Sequence, residues 1–139
     1  MDLILHHIGV LVKDISRVAS FYTDSLRYQR ASDLFHDPLQ TAHGQFFRLK
    51  QDSVCLELVS PDGADSKLNI ALSKGGGLNH LCFSTRNIEK TCIELRSRGL
   101  FPVSRPVSAV AFGGRRIAWF VGKDRVPLEL VEQGEQDQL

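Results

Sequence analysis

The sequence predicts an α+β fold in which one β-α-β-β-β module is used twice, and three observations predict it. The tetrapeptide Leu-Glu-Leu-Val closes the first half at 56–59 and the second at 128–131. Each copy follows a histidine set in an apolar run, with fifty residues from His7 to Glu57 and forty-nine from His80 to Glu129. Between these markers, strand-like and helix-like stretches come in the same order in both halves, which is the signature of an internal duplication.

Residues 4–12 are short and rich in Ile, Leu and Val, so they read as a strand. Side chains alternate along a strand, placing His7, Gly9 and Leu11 on one face. Asp14 is a helix N-cap, because its carboxylate can accept from the first free amides. Ile15, Val18, Ala19, Tyr22 and Leu26 then follow the spacing of one apolar helix stripe. A short strand is expected near residues 30–35, and Asp37-Pro38 and His43-Gly44 are turn signals. Residues 45–49 and 53–59 read as strands joined by the polar turn Lys50-Gln51-Asp52, with Cys55, Glu57 and Val59 on one face of the second.

Residues 60–66 are a connector by composition, residues 67–73 form a short helix, and Gly75-Gly76-Gly77 ends it. The order then repeats. Residues 78–84 form a strand with His80, Cys82 and Ser84 on one face. Asn87 caps a helix whose stripe is Ile88, Cys92 and Leu95, and Gly99 stops it. Residues 101–104 and 117–121 are strands around a loop that carries Arg115 and Arg116. Residues 126–131 are the last strand, with Glu129 on the face opposite Leu128 and Leu130. One domain is expected over 1–139: module 1 about 1–62, a connector about 63–76, module 2 about 77–133, and a polar, frayed tail at 134–139.

The chain has 139 residues, 42% of them hydrophobic and 24% charged, which is ordinary for a globular protein that buries a core. A formal charge of +1 gives no electrostatic reason for nucleic acid or an anionic membrane as partner. No apolar run approaches the roughly 20 residues of a membrane helix. The first residues lack a secretory pattern, so a cytoplasmic protein is expected. Cys55, Cys82 and Cys92 make an odd count without CxxC spacing, and read as reduced, buried thiols.

A single histidine on a strand is more often structural than ligating, and a single glutamate between leucines can simply face water. The matched set changes that balance. If both halves turn His7, Glu57, His80 and Glu129 inward, two carboxylates share an apolar interior. Burying one ionised carboxylate unpaired costs several kcal/mol, and a second adds repulsion. One divalent metal ion (Zn, Ni, Co or Mn) removes that cost, since imidazole and carboxylate suit these ions. Four protein ligands leave open positions, as in a catalytic metal centre. Such a centre suits polarisation of a carbonyl while a carboxylate takes the proton from the adjacent carbon.

The segments Leu5–Ile15, Phe21-Tyr22, Cys55–Pro61, Gly76–Phe83 and Pro127–Glu132 resemble the vicinal oxygen chelate (glyoxalase/bleomycin resistance/dioxygenase) superfamily over nearly the whole chain. The resemblance implies paired βαβββ modules forming a half-open barrel around a metal, commonly in a homodimer. It implies that His7, Glu57, His80 and Glu129 are the ligands, with Glu129 also the proton-transferring base. The glycine-rich approach to His80 and the Glu-Leu-Val-Ser-Pro segment look most like methylmalonyl-CoA epimerase, whereas the ligand set also matches metal-dependent glyoxalase I (lactoylglutathione lyase). The small-molecule substrate is accordingly an acyl-CoA or a glutathione adduct. A non-catalytic antibiotic-binding protein and an extradiol-type dioxygenase are the other readings. Epimerases need a second acid–base group, and His43 is the candidate, in a stretch that holds His43, Gln45 and Phe47 but no carboxylate. Gln45, Arg115 and Arg116 are the candidate substrate contacts. The family's usual Asp/His-Pro-x-Gly turn before the last strand is replaced by Gly122-Lys123-Asp124-Arg125.

Overall fold

Two short helices and one longer one accompany sheets of mixed pairing, in an α+β arrangement seen in a computed structural model that describes residues 1–135 and 139. In chain order the elements are β1 (Ile4–Leu11), α1 (Ile15–Ser20), β2 (Gln29–Arg30), β3 (Phe35–Asp37), β4 (Ala42–Arg48) and β5 (Cys55–Pro61). Then follow α2 (Asn69–Ser73), β6 (Gly77–Thr85), α3 (Ile88–Ser97), β7 (Phe101–Pro102), β8 (Val107–Ser108), β9 (Arg116–Val121) and β10 (Pro127–Glu132). Contacts divide the chain into two compact units, His7–Asn79 and Met1–His6 with His80–Leu139. The expected frayed tail includes residues 136–138, which lie outside the described residues. No helix among the described residues is long and apolar enough to cross a membrane.

Within the His7–Asn79 unit the strand order is β2-β4-β5-β1, with β3 also on β4. β1 runs parallel to β5, and β4 antiparallel to β5. Within the other unit the order is β6-β10-β9-β7, with β8 also on β9. Here too the module's first long strand, β6, runs parallel to its last, β10, while β9 runs antiparallel to β10. A parallel pair needs a long crossover rather than a tight turn, and the helix and intervening strands of each module supply it.

One face of each sheet is covered by its helix. Under α1 lie Ile15, Ala19, Phe47, Leu56 and Leu58, with Val10, Val18 and Tyr22 packed around them. Under α3 lie Ile88, Leu95, Ala118, Phe120 and Leu130, with Phe83, Cys92 and Leu128. The two clusters correspond position by position: Ile15 to Ile88, Ala19 to Cys92 and Phe47 to Phe120, each 73 residues on, and Leu58 to Leu130, 72 on. Each fully buried large side chain contributes about 1.5–3 kcal/mol, so these matched layers dominate each module's stability.

Both expected caps form. The Asp14 carboxylate accepts from the Arg17 amide at 3.2 Å, and the Asn87 side-chain oxygen accepts from the Lys90 amide at 3.0 Å. The α1 stripe ends early, however. A π turn at Phe21–Ser25 follows Ser20, Arg27 takes φ +63°, and Leu26 is left exposed rather than buried. A π turn advances the chain by more residues per turn than the α-helix, so the eleventh position no longer falls on the stripe. Gly76 shows why a glycine stands before β6. Its φ is +65°, and a Cβ there would meet the Leu11 carbonyl oxygen at 2.7 Å.

Candidate metal centre

The parallel pairings create the functional face. In the first unit Gly9 lies opposite Glu57, and His7 stands two residues before Gly9 on the same side of the sheet. In the second, Cys82 lies opposite Glu129, and His80 stands two residues before Cys82. The register is therefore the same in both modules: histidine on the first strand, glutamate on the last, one row apart. This face is the one turned away from the helices, because Leu56, Leu58 and Leu130, which alternate with the glutamates, are the residues under α1 and α3.

Within each module, histidine and glutamate are close and buried. His7 Nε2 is 3.6 Å from Glu57 Oε1, and His80 Nε2 is 3.3 Å from Glu129 Oε2. His7 is 0% exposed and His80 4%, while Glu57 and Glu129 are 6% and 4% exposed. These separations are long for a direct hydrogen bond. They are close to the spacing of neighbouring donors on one ion: two ligands about 2.1 Å from a divalent metal, at 90–110° to each other, stand about 3.0–3.4 Å apart. The donor chemistry and the spacing of each pair thus fit a divalent cation.

An aromatic ring completes each pair. Phe46 lies directly across from Glu57 in the β4–β5 pairing, and its ring meets His7 edge-on with centroids 5.1 Å apart. Trp119 lies directly across from Glu129 in the β9–β10 pairing, and meets His80 edge-on at 5.0 Å. Reading the sequence for polar ligands alone misses both. The signal was present, since 46 and 119 differ by the 73 residues that separate the two histidines.

Other expected site residues are placed elsewhere. On β4, Phe46 shares the Glu57 face, whereas His43 pairs with Ser60 and Gln45 with Leu58 on the helix-covered side. His43 stacks beside His36 (centroids 4.7 Å), which is hydrogen-bonded through Nε2 to Asp62 Oδ2 at 2.9 Å. It lines a shallow cleft of about 410 Å³ with Lys13, Arg17 and Ser60. Gln45 donates its side-chain amide to the Ser32 carbonyl at 3.1 Å. Both His43 and Gln45 lie on the face of β4 opposite to the one that carries Phe46 across from Glu57. A one-residue change of register would move each of them to the Glu57 face.

Arg115 and Arg116 are likewise engaged in the fold. Arg115 donates from Nε to the Phe112 carbonyl at 3.2 Å and from Nη1 to the Glu132 carbonyl at 3.0 Å. Arg116 binds the Glu132 carboxylate through Nε at 2.9 Å and Nη2 at 2.6 Å, and pairs with Glu89 on α3. Hydrogen bonds from Arg116 hold the Glu132 and Glu89 carboxyls below the usual range, and those carboxylates raise the guanidinium further. The two arginines stitch helix, loop and last strand together. The three cysteines are free thiols; Cys55 and Cys82 are buried as expected, whereas Cys92 is only half-buried, and burial pushes the Cys55 thiol up.

The family described as the Glyoxalase/Bleomycin resistance protein/Dioxygenase superfamily matches residues 6–120. The protein YwkD of Bacillus subtilis (strain 168) is 26% identical over 130 residues, covering 93% of this chain and 96% of that protein. Mitochondrial methylmalonyl-CoA epimerase of Mus musculus is 29% identical over 111 residues, covering 78% of this chain and 61% of the mouse protein. The crystal structure of methylmalonyl-CoA epimerase from Mycobacterium tuberculosis superposes with a TM-score of 0.84 at 25% identity, covering 94% of this chain and 87% of that one.

Proposed function

The chain belongs to the Glyoxalase/Bleomycin resistance protein/Dioxygenase superfamily, and on that premise we propose that it is a metal-dependent isomerase acting next to a carbonyl, epimerase-like and working on an acyl-CoA. The observation that carries this reading is the pair of buried histidine–glutamate sets, built in the same register in both modules. His7, Glu57, His80 and Glu129 offer one ligand atom each, and they are the residues that would hold one divalent ion of the Zn, Ni, Co or Mn kind. A cation there offsets the desolvation of two carboxylates that would otherwise be costly to bury. When bound, such an ion supplies Lewis-acid polarisation of a substrate carbonyl.

The remaining chemistry is the chain's own. Glu129 takes the proton from the carbon beside the carbonyl onto a carboxylate oxygen. Its 4% exposure excludes bulk water from that oxygen, which strengthens its interactions with the substrate. General-base catalysis of this kind contributes about 10²–10⁴-fold. The relatedness to methylmalonyl-CoA epimerases supports an acyl-CoA as the substrate class. A homodimer belongs to the same reading.

A second reading rests on what β4 presents. Epimerisation removes a proton on one side of a carbon and returns one on the other, so it needs two acid–base groups. The β4 residues on the Glu57 face are Ala42, Gly44, Phe46 and Arg48, none of them a carboxylate. That favours an isomerisation with a single base, as in the conversion of a glutathione thiohemiacetal. Purified protein should contain near one divalent metal per chain. Solvent deuterium should enter methylmalonyl-CoA faster than the enzyme turns over the methylglyoxal–glutathione adduct. The reverse preference selects the lyase reading, and inertness towards both with no bound metal ends the proposal.

A further inference from the structure

The metal reading makes no use of Phe46 and Trp119, yet both recur at the same structural position. Each is the cross-strand partner of a glutamate ligand, and each meets the neighbouring imidazole close to perpendicular, at 70° for Phe46 on His7 and 81° for Trp119 on His80. An imidazole on a strand turns freely about its second side-chain torsion, which has a broad, roughly two-fold profile. A ring packed edge-on at about 5 Å removes that freedom. In both modules the orientation it leaves is the one that points Nε2 at the carboxylate.

We propose that Phe46 and Trp119 are positioning residues for the metal ligands: each fixes its histidine in the ligating orientation before the ion arrives. The inference rests on the metal reading above and deepens it. Groups that orient a ligand typically change metal affinity about 10–100-fold when removed, because the ordering of the imidazole must then accompany binding.

Trp119 also supplies the test, since it is the single tryptophan of the chain. The full-length protein, stripped of metal, is titrated with Co²⁺ while tryptophan emission and the Co²⁺ ligand-field absorption are followed. Wild type should quench as Co²⁺ binds, with an affinity that Trp119→Phe keeps within about threefold. Trp119→Leu, and Trp119→Val should the leucine variant fail to fold, should bind Co²⁺ about 10–100-fold more weakly and with an altered ligand-field band, at unchanged far-ultraviolet dichroism. Phe46→Leu should act in the same direction. Wild-type affinity and an unaltered band in the leucine or valine variant would overturn the positioning role and leave the metal reading standing. Failure of the wild type itself to bind Co²⁺ would overturn both, and the wild-type titration alone separates the two results.

Discussion

In the half-site on β1 and β5, the ring across from the glutamate is Phe46, 0% exposed; in the half-site on β6 and β10 it is Trp119, which remains half-buried. The helices behind them differ too. α1 lasts six residues before a π turn, whereas α3 runs for ten and is tied to β10 through Arg116, which holds both Glu89 and Glu132. The two copies share the positions of histidine, glutamate and aromatic ring and differ in their surroundings. One copy is closed by an apolar wall. The other joins a braced helix to an aromatic that still meets solvent, and this is the copy to which we assign the proton transfer.

Replacing the two glutamates one at a time tests that division most directly. Glu129→Gln should lower turnover about 10²–10⁴-fold, the amount a positioned base contributes. Glu57→Gln should act mainly through metal content, and adding excess metal should restore much more of its activity than that of Glu129→Gln. Equal, metal-rescuable losses in both would erase the asymmetry. Next in size are the matched core leucines. Leu58→Ala and Leu130→Ala each remove a side chain that is 0–1% exposed, and each should cost about 2–5 kcal/mol in urea unfolding. The caps follow: Asp14→Ala and Asn87→Ala should each cost about 0.5–2 kcal/mol, with the larger effect at Asn87 because the longer helix hangs from it.

The smallest effect concerns the brace. Because Arg116 holds the Glu132 carboxyl below its ordinary range, the folded chain binds that proton only at lower pH than the unfolded chain does. The stabilisation is therefore complete above about pH 4.3, the unperturbed carboxylate value, and fades as pH falls below it. Glu132→Gln should show a slightly lower Tm at pH 7 and converge on wild type as pH falls through the depressed titration of the folded carboxyl. A constant offset across that range would mean the ion pair is not its cause.

Much of this architecture was legible in the residues. The repeated Leu-Glu-Leu-Val, the alternation around His7 and His80, and the capping side chains Asp14 and Asn87 are local signals, and local physics decides them. What was not legible depended on partners distant in sequence. The face taken by His43 and Gln45 follows from the register of β4 on β5, which the turn between them sets and composition does not reveal. The partners of Arg116 are Glu89 and Glu132, 27 and 16 residues away, and nothing in the loop announces them. Leu26 left its stripe because the helix changed pitch before reaching it. The aromatic walls were hidden for another reason: at an apolar strand position Phe46 and Trp119 look like core, and only the 73-residue offset marks them as a pair.

The parallel pairing of the first and last long strands in each module has a consequence for how the protein comes into being. Histidine arrives early in the chain and its glutamate about fifty residues later, so no donor pair exists until the module's final strand has docked. Contacts so far apart form late, since the intervening loop must close first. A nascent or truncated chain ending before Glu57 therefore carries no complete histidine–glutamate pair.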